Sequence, residues 1–332
     1  MNKKLTLLFS GLMTIATVLP FSHSLASAAD GEVFEIRLGH TGSPDHHFQV
    51  ISKRYAELVE ERTDGNVKIS VYPSDSLGKQ LELVEGTFIG TNDMVLTSDA
   101  VLSNFVPEVG IINLPFIFRD PDHVREVLDG DVGKALSDKV EPQGAVVVGW
   151  WENGFRHITN SKKPITKPED LAGMKLRVPE GPIFVDSFET LGANATPIAF
   201  TELYSALQLG VVDGQENPPA HILTQKFYEV QDYASKTGHI YLSSPVLINK
   251  ALLNRMPEEY QQVMMDTGRE LAAEHTRMVV SEEDAQWEQI KELGMKVNDV
   301  DKAPFVEATK PVIEKYRGVF GPELIDQIID TK

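Results

Sequence analysis

Three short polar islands between Val146 and Pro219 carry side chains suited to holding an anion. They are Asn153-Gly154-Phe155-Arg156, Leu176-Arg177-Val178-Pro179-Glu180 and Asp213-Gly214-Gln215-Glu216-Asn217-Pro218. Arg presents a planar fork that matches a carboxylate bidentately and keeps its charge when partly buried. Arg156 follows Val146-Val147-Val148-Gly149-Trp150-Trp151, an apolar, β-branched run that reads as a buried strand. Arg177 lies in Met174-Lys175-Leu176-Arg177-Val178, which alternates like a strand and stops at Pro179. Asn217 sits in a break after Leu203, Leu207 and Leu209 at helical spacing and a strand-like Val211-Val212. Two guanidiniums and a carboxamide at the ends of buried segments suit replacing the water around a carboxylate. For each arginine alone, a structural pair with a local Asp or Glu is the competing expectation.

Other candidate chemistry is thinner. Asp45-His46-His47 with His40 invites a metal reading, but adjacent histidines on a helix point apart and no His-Glu-x-x-His occurs, so no metal site is expected. Ser43 or Asp45 is expected to cap the first helix. His40 and Thr41, at the end of the first strand, are carried as candidates for a cleft, where open α/β sheets gather ligands; burial for packing is the alternative for each. Asp129-Gly130-Asp131 has too few spaced oxygens for a calcium loop. No Gly-rich phosphate fingerprint and no Gly-x-Ser-x-Gly elbow is present. No nucleophile–base pair is assembled either, so the chain is expected not to be an enzyme and to need no cofactor.

The elements that must position these residues are of α/β type. Strand and helix signals alternate: 34–38 reads as a strand, Phe48, Ile51, Tyr55, Leu58 and Val59 recur at helical spacing, Thr63-Asp64-Gly65 stops that helix, and 67–72 is a second strand. The strongest helical signal runs from Pro257 to Leu293, with Gly294 as its stop. One helix crossing two domains is expected there, with a break near Ser281 as the alternative.

Residues 1–29 read as a secretory signal peptide: Lys3 and Lys4, an apolar stretch over 5–20, then Ala26-Ser27-Ala28-Ala29. The apolar stretch, interrupted by Ser10, Thr14 and Thr17, is short against the ~20 residues of a membrane span. The chain has no cysteine, which excludes disulfides, thiolate metal sites and a lipoprotein anchor. A periplasmic protein without direct membrane anchoring follows. Without 1–29 the chain loses two lysines and no acid, leaving 29 basic against 49 acidic side chains and a net charge of −20. That balance argues against nucleic acid and anionic lipid as partners. An anionic ligand would need a local cationic pocket, which Arg156 and Arg177 could supply. The remaining length suits two domains.

Read together, Asn153-Gly-Phe-Arg-His-Ile-Thr-Asn160, Pro168-Glu-Asp-Leu-Ala-Gly-Met-Lys-Leu-Arg-Val-Pro-Glu180, Leu191-Gly-Ala-Asn-Ala-Thr-Pro-Ile-Ala-Phe200 and Asp213-Gly-Gln-Glu-Asn-Pro218 resemble the DctP-type solute receptors of TRAP (tripartite ATP-independent periplasmic) transporters. The resemblance extends over 225–231, 57–65, 71–73 and Leu77-Gly78, and so covers nearly the whole chain after residue 29. It implies a two-lobe periplasmic solute-binding fold closing like a hinged trap, with a long helix spanning both lobes. The implied limits are 30–153 plus 242–282 for lobe I and 154–241 plus 283–332 for lobe II. It further implies that Arg177 makes the main salt bridge to a ligand carboxylate, that Arg156 and Asn217 complete the clamp, and that Phe200 lines the same pocket. Glu180, Gln80, Thr97 and Ser98 fall where relatives touch the rest of the ligand. The implied role is a monomeric receptor that binds a sugar acid or C4-dicarboxylate and hands it to a permease of one small and one large membrane subunit. A periplasmic enzyme acting on organic acids is the competing class.

Overall fold

The computed structural model describes residues 33–332; the expected export segment, 1–29, lies outside the described residues. The described strands form two sheets. In the first, the order is β2 (Val67–Tyr72), β1 (Phe34–His40), β3 (Met94–Leu96), β10 (Tyr241–Asn249), β4 (Ala145–Phe155). In the second it is β11 (Lys296–Asp299), β9 (Tyr233–Lys236), β5 (His157–Asn160), β8 (Gly214–Asn217), β6 (Lys175–Val178), β7 (Asn194–Pro197). The mixed α/β class expected from the alternating signals is what the chain adopts.

The first βαβ unit shows how pattern becomes structure. Phe34, Ile36 and Leu38 alternate inward along β1, and β2 pairs with it in parallel. The intervening helix, His47–Arg62, lays Phe48, Ile51, Tyr55 and Val59 on the sheet at spacings of three and four. Its N-cap is His46, whose ring accepts the Phe48 amide at 3.2 Å, not Ser43 or Asp45 as expected. An imidazole acceptor satisfies a free helix-end N–H as an Asp or Ser oxygen would.

The third polar island also differs from expectation. Rather than a break, residues 214–217 form β8, buried throughout, while Val211 is exposed in a turn ahead of it. A polar strand is tolerated inside because its side chains find partners there: Gln215 donates to the Thr159 hydroxyl at 2.8 Å, and Glu216 meets Arg156 and His239.

Three segments join the sheets. β4 passes into β5 across one residue, Arg156, and β9 returns into β10 across residues 237–240. The two crossings run side by side, with Arg156 N–H donating to the Ile240 carbonyl at 2.9 Å. The third is the helix Glu258–Glu292, unbroken at Ser281 and ~52 Å long at 1.5 Å per residue. Its first half packs Met264 and Leu271 with Tyr55 and Trp151 of the first sheet's core; its second half packs Trp287 and Ile290 with Leu203 and Phe227 beside the second sheet. Backbone contact is close on the first sheet. A Cβ on Gly268 would lie 2.3 Å from Val148 Cγ1, and the Trp151 indole donates to the Gly268 carbonyl at 2.9 Å.

The C-terminal stretch departs from the implied limits, which place 283–332 with lobe II. Phe305 joins the core beside the second sheet, but Val312, Tyr316, Ile325 and Ile328 enter the core of Val124, Val127 and Leu136 on the first sheet's side. The apolar stripe of helix Pro322–Asp330 finds its cover there.

Candidate functional site

Between the sheets lies a narrow cleft, with ≈ 470 Å³ of non-atom space that includes its opening to solvent. Arg156, Arg177, Asn217 and Phe200 line it from the second sheet's side together with Glu180, and Gln80, Thr97, Ser98 and Thr41 from the first. The structure therefore brings nine of the ten candidates to one space. His40 is the exception. It is fully buried beneath the strand end, its Nε2 2.8 Å from Gln49 Oε1, and burial pushes it down to about 4 despite that bond. Successive residues of an extended chain face opposite ways, so Thr41 reaches the cleft and His40 does not.

The two arginines are in different states. Arg156 donates from Nε to Glu216 Oε2 at 2.6 Å and from Nη2 to Oε1 at 2.8 Å and to the Glu216 carbonyl at 2.6 Å, with both side chains buried. Burial pushes Glu216 upward, but Arg156 and the hydrogen bonds from His239 and Arg156 outweigh it and hold the carboxyl below its usual value. The competing expectation for Arg156, a structural pair, is thus met. Arg177 donates from Nε to the Ile198 carbonyl at 2.8 Å and forms no ion pair among the described residues. Burial, then the nearby Arg156 charge, pushes it down to about 9, so it remains a cation at neutral pH. Its guanidinium carbon lies 5.9 Å from the centre of the Phe200 ring.

Asn217 ends β8, its Nδ2 donating to Gln215 Oε1. Facing it, Gln80 Oε1 accepts from the Thr97 hydroxyl at 3.1 Å and the Ser98 amide at 2.9 Å, which ties three candidates into one hydrogen-bonding wall. At the rim the Glu180 carbonyl accepts from Asn104 Nδ2 at 2.5 Å, and Lys79 Nζ pairs with Glu202 Oε1 at 2.5 Å.

Sequence reasoning left out Asn153 and His221, which also line the cleft. Asn153 Nδ2 donates to Ser244 Oγ at 3.2 Å, and its Oδ1 lies 3.2 Å from His221 Nε2. Asn153 was visible as the first residue of its island. His221 carried no comparable signal: it follows Asn217 by four residues, and only the start of helix Pro219–Thr224 turns it toward the cleft. With Arg156 paired to Glu216, Arg177 is a cation lining the cleft that has no ion-pair partner among the described residues, with amide donors beside it and a hydroxyl-bearing wall opposite. That set suits one carboxylate on a small polar molecule.

Residues 38–318 match the family model of bacterial extracellular solute-binding proteins, family 7, named DctP. The chain belongs to the DctP family. Among curated DctP-like relatives, a "Solute-binding protein" of Verminephrobacter eiseniae is 39% identical, covering 88% of each chain. The 2,3-diketo-L-gulonate-binding periplasmic protein YiaO of Escherichia coli is 32% identical, covering 89% of this chain and 88% of its own. Among solved structures, a TRAP periplasmic solute-binding protein from a Polaromonas species, bound to D-erythronate, superposes with a TM-score of 0.87 at 38% identity, covering 90% of this chain and 99% of its own. Another, from Sulfurospirillum deleyianum with bound succinate, does so with a TM-score of 0.86 at 31% identity, covering 91% of this chain and all of its own. The family's named members are binding proteins of transporters, and among the described residues no helix is long and apolar enough to cross a membrane.

Proposed function

We propose that this DctP-family chain is the periplasmic receptor of a TRAP transporter, exported by residues 1–29, and that it closes on a small organic acid and delivers it, as a monomer, to the small and large subunits of the membrane permease. The observation that carries this reading is Arg177, a buried cation without an acidic partner among the described residues, in a cleft between two sheets. In the bound state Arg177 pairs with the ligand carboxylate, while Arg156, held in place by Glu216, and Asn217 donate to it from either side. The lobes are the two sheets with their helices, dividing near 153/154 and 241/242, with the last helix counted in lobe I. Closure is a population shift, so the ligand must contact the closed form better than the open one.

Glu180 bears on the ligand class. Its carboxylate would repel a second ligand carboxylate at that end of the cleft, whereas Gln80, Thr97 and Ser98 offer hydrogen bonds to hydroxyls. A hydroxylated monocarboxylate is therefore the favoured ligand over a C4-dicarboxylate. The two ligand types occur among relatives, as D-erythronate and succinate.

A thermal-shift screen of the protein without residues 1–29, against sugar acids, keto acids and dicarboxylates, tests the reading. A millimolar ligand of micromolar affinity stabilises the native state by ~4 kcal/mol. The expected result is a clear shift with a hydroxy acid, lost in Arg177→Ala; tight succinate binding without sugar-acid binding would overturn the ligand class, and no shift with any acid would overturn the receptor role.

A further inference from the structure

Behind the clamp, four histidine rings from three parts of the chain meet. His46 and His47 come from the start of the first helix, His275 from the long helix, and His221 from helix Pro219–Thr224 beside the second sheet. The rings of His46 and His221 stack at 4.2 Å with 21° between their planes, and His47 lies 3.9 Å from His46. His47 Nδ1 is 2.7 Å from His275 Nε2. The His46–His221 stack thus joins the first sheet's side to the second, next to the cleft.

The hydrogen bonds fix the protons. Asn153 donates through Nδ2 to Ser244, so its Oδ1 accepts, and His221 carries its hydrogen on Nε2. That leaves His221 Nδ1 a bare acceptor, buried and without a protein partner. His46 accepts the Phe48 amide on Nδ1 and so carries hydrogen on Nε2. Burial lowers both stacked rings well below the ordinary imidazole value. Among the described residues no three acidic or histidine side chains converge as a metal site requires.

We propose that His221 is a positioning residue of the binding site, whose neutral ring holds Asn153 and stacks on His46 across the lobes, so that capture of an acid ligand requires His221 to be unprotonated. The proposal rests on the reading of the cleft as an acid-binding site.

The surroundings explain why a proton on His221 opposes closure. From the second sheet's side, Arg156 and Arg177 face it; from the first helix, His46 and His47; behind them stand His40 on β1 and His275 on the long helix, the latter also feeling the charge of Arg125. No acid pairs with His221: Glu180 lines the same cleft on the Arg177 side, and burial raises Glu152 to about 7 and Asp99 to about 6. Glu216 is engaged by Arg156 and His239, and Glu152 is bonded by Thr276. Asp99 accepts from Ser243 and Asn113. Burial first, then His47 and the two arginines, lowers His221 well below its ordinary value. The ligand carboxylate balances Arg177 and leaves an added proton on His221 uncompensated. Parting the lobes relieves it by returning the ring to water.

Calorimetry of the protein without residues 1–29, at pH 7.5 and pH 5.0, decides the matter, using the tightest binder among D-erythronate, D-galacturonate and D-glucuronate. Sugar-acid carboxyls stay ionised over this range. With an open-state histidine near its ordinary value of ~6.5, Kd is expected to rise roughly 30-fold at pH 5.0. In His221→Gln, whose amide can still donate to Asn153 but takes up no proton, the change is expected to be under about 3-fold. A full rise in His221→Gln, a flat wild-type profile, or a rise abolished only in His46→Phe or Glu152→Gln would overturn the proposal. If no acid binds at either pH, the reading of the cleft fails on its own, and His221 is judged by melting of the ligand-free protein. There the loss on going to pH 5.0 must be smaller in His221→Gln than in wild type, and an equal loss overturns it.

Discussion

Arg156 and Glu216 form a forked ion pair at the point where the chain crosses from one sheet to the other, with 3% and 0% of their side chains exposed. Removing one partner of such a buried pair leaves a charge without water or counter-ion, which costs ~3–5 kcal/mol. Arg177 is already in that situation, apart from its bond to the Ile198 carbonyl. The two arginines should therefore separate in ligand-free stability. Arg156→Met is expected to lose ~3–5 kcal/mol in urea unfolding, and Arg177→Met to lose about 1 kcal/mol or less while ligand binding disappears. Equal losses would show that Arg177 is a structural residue.

Glu180 sets the second expectation, which depends on the proposed ligand class. Neutralising it as Glu180→Gln removes a repulsion aimed at the far end of a dicarboxylate and keeps a hydrogen-bonding group for hydroxyls. The ratio of succinate to sugar-acid affinity, read by calorimetry, should move about tenfold toward succinate, equivalent to ~1.4 kcal/mol. A ratio that stays put would place the Glu180 carboxylate outside the ligand's reach.

Much of this was legible in the residues, and the failures have physical reasons. The first βαβ unit and the long helix announced themselves because their apolar periodicity reports directly which face is buried. β8 did not, because a buried strand of Gly, Gln, Glu and Asn carries no apolar pattern; only its partners, Arg156, His239 and Thr159, make it possible, and those lie far away in sequence. The arginines could be named but not told apart, since the Glu216 that neutralises Arg156 stands sixty residues on. His40 was carried as a cleft candidate with burial as the alternative, and His221 was not named, for a similar reason: whether a histidine faces a cleft or a core depends on one step of strand register or one turn of helix.

Acid sensitivity follows from the buried titratable groups, and its sign can be worked out. Burial lowers His40 to about 4 and His47 to about 3, and holds His46, His221 and His275 well below the ordinary range. Below ~6.5 the unfolded chain takes up protons at these sites that the native protein refuses, so their contribution to stability falls as the pH drops. Burial acts oppositely on Glu152 and Asp75, raised to about 7, and on Asp99, raised to about 6. These carboxyls favour the native state at low pH and lose that contribution as the pH rises from ~4 toward 7. Burial also lowers His157 and His239, so seven histidines stand against three acids, and the melting temperature is expected to be lower at pH 5 than at pH 7. Glu152→Gln should gain on wild type as the pH rises from 5 to 8, because the variant has no buried carboxyl to ionise. Scanning calorimetry across that range checks both, and a variant that loses ground at pH 8 would show Glu152 to be stabilising as a carboxylate.

Two glycines in helices should respond oppositely to the same substitution. Gly268 sits where the long helix meets β4: an added Cβ would lie 2.3 Å from Val148 Cγ1 and 2.6 Å from the Val148 carbonyl oxygen. Backbone cannot yield as the end of a flexible side chain can, so Gly268→Ala must push the helix off the first sheet and disturb the bond from Trp151 to the Gly268 carbonyl. A loss of ~1–3 kcal/mol is expected, the range for overpacked cores. Gly318, near the end of helix Ala303–Phe320, has no atom within 4 Å of an added Cβ. There the alanine only restricts the unfolded chain and favours the helix, for a gain of ~0.5–1 kcal/mol. Because the long helix spans both lobes, Gly268→Ala should also weaken ligand binding, while Gly318→Ala should leave it alone. Urea unfolding of the pair reads the stabilities and calorimetry reads the binding; a Gly268→Ala protein as stable as wild type would mean that the helix can slide on the sheet without cost.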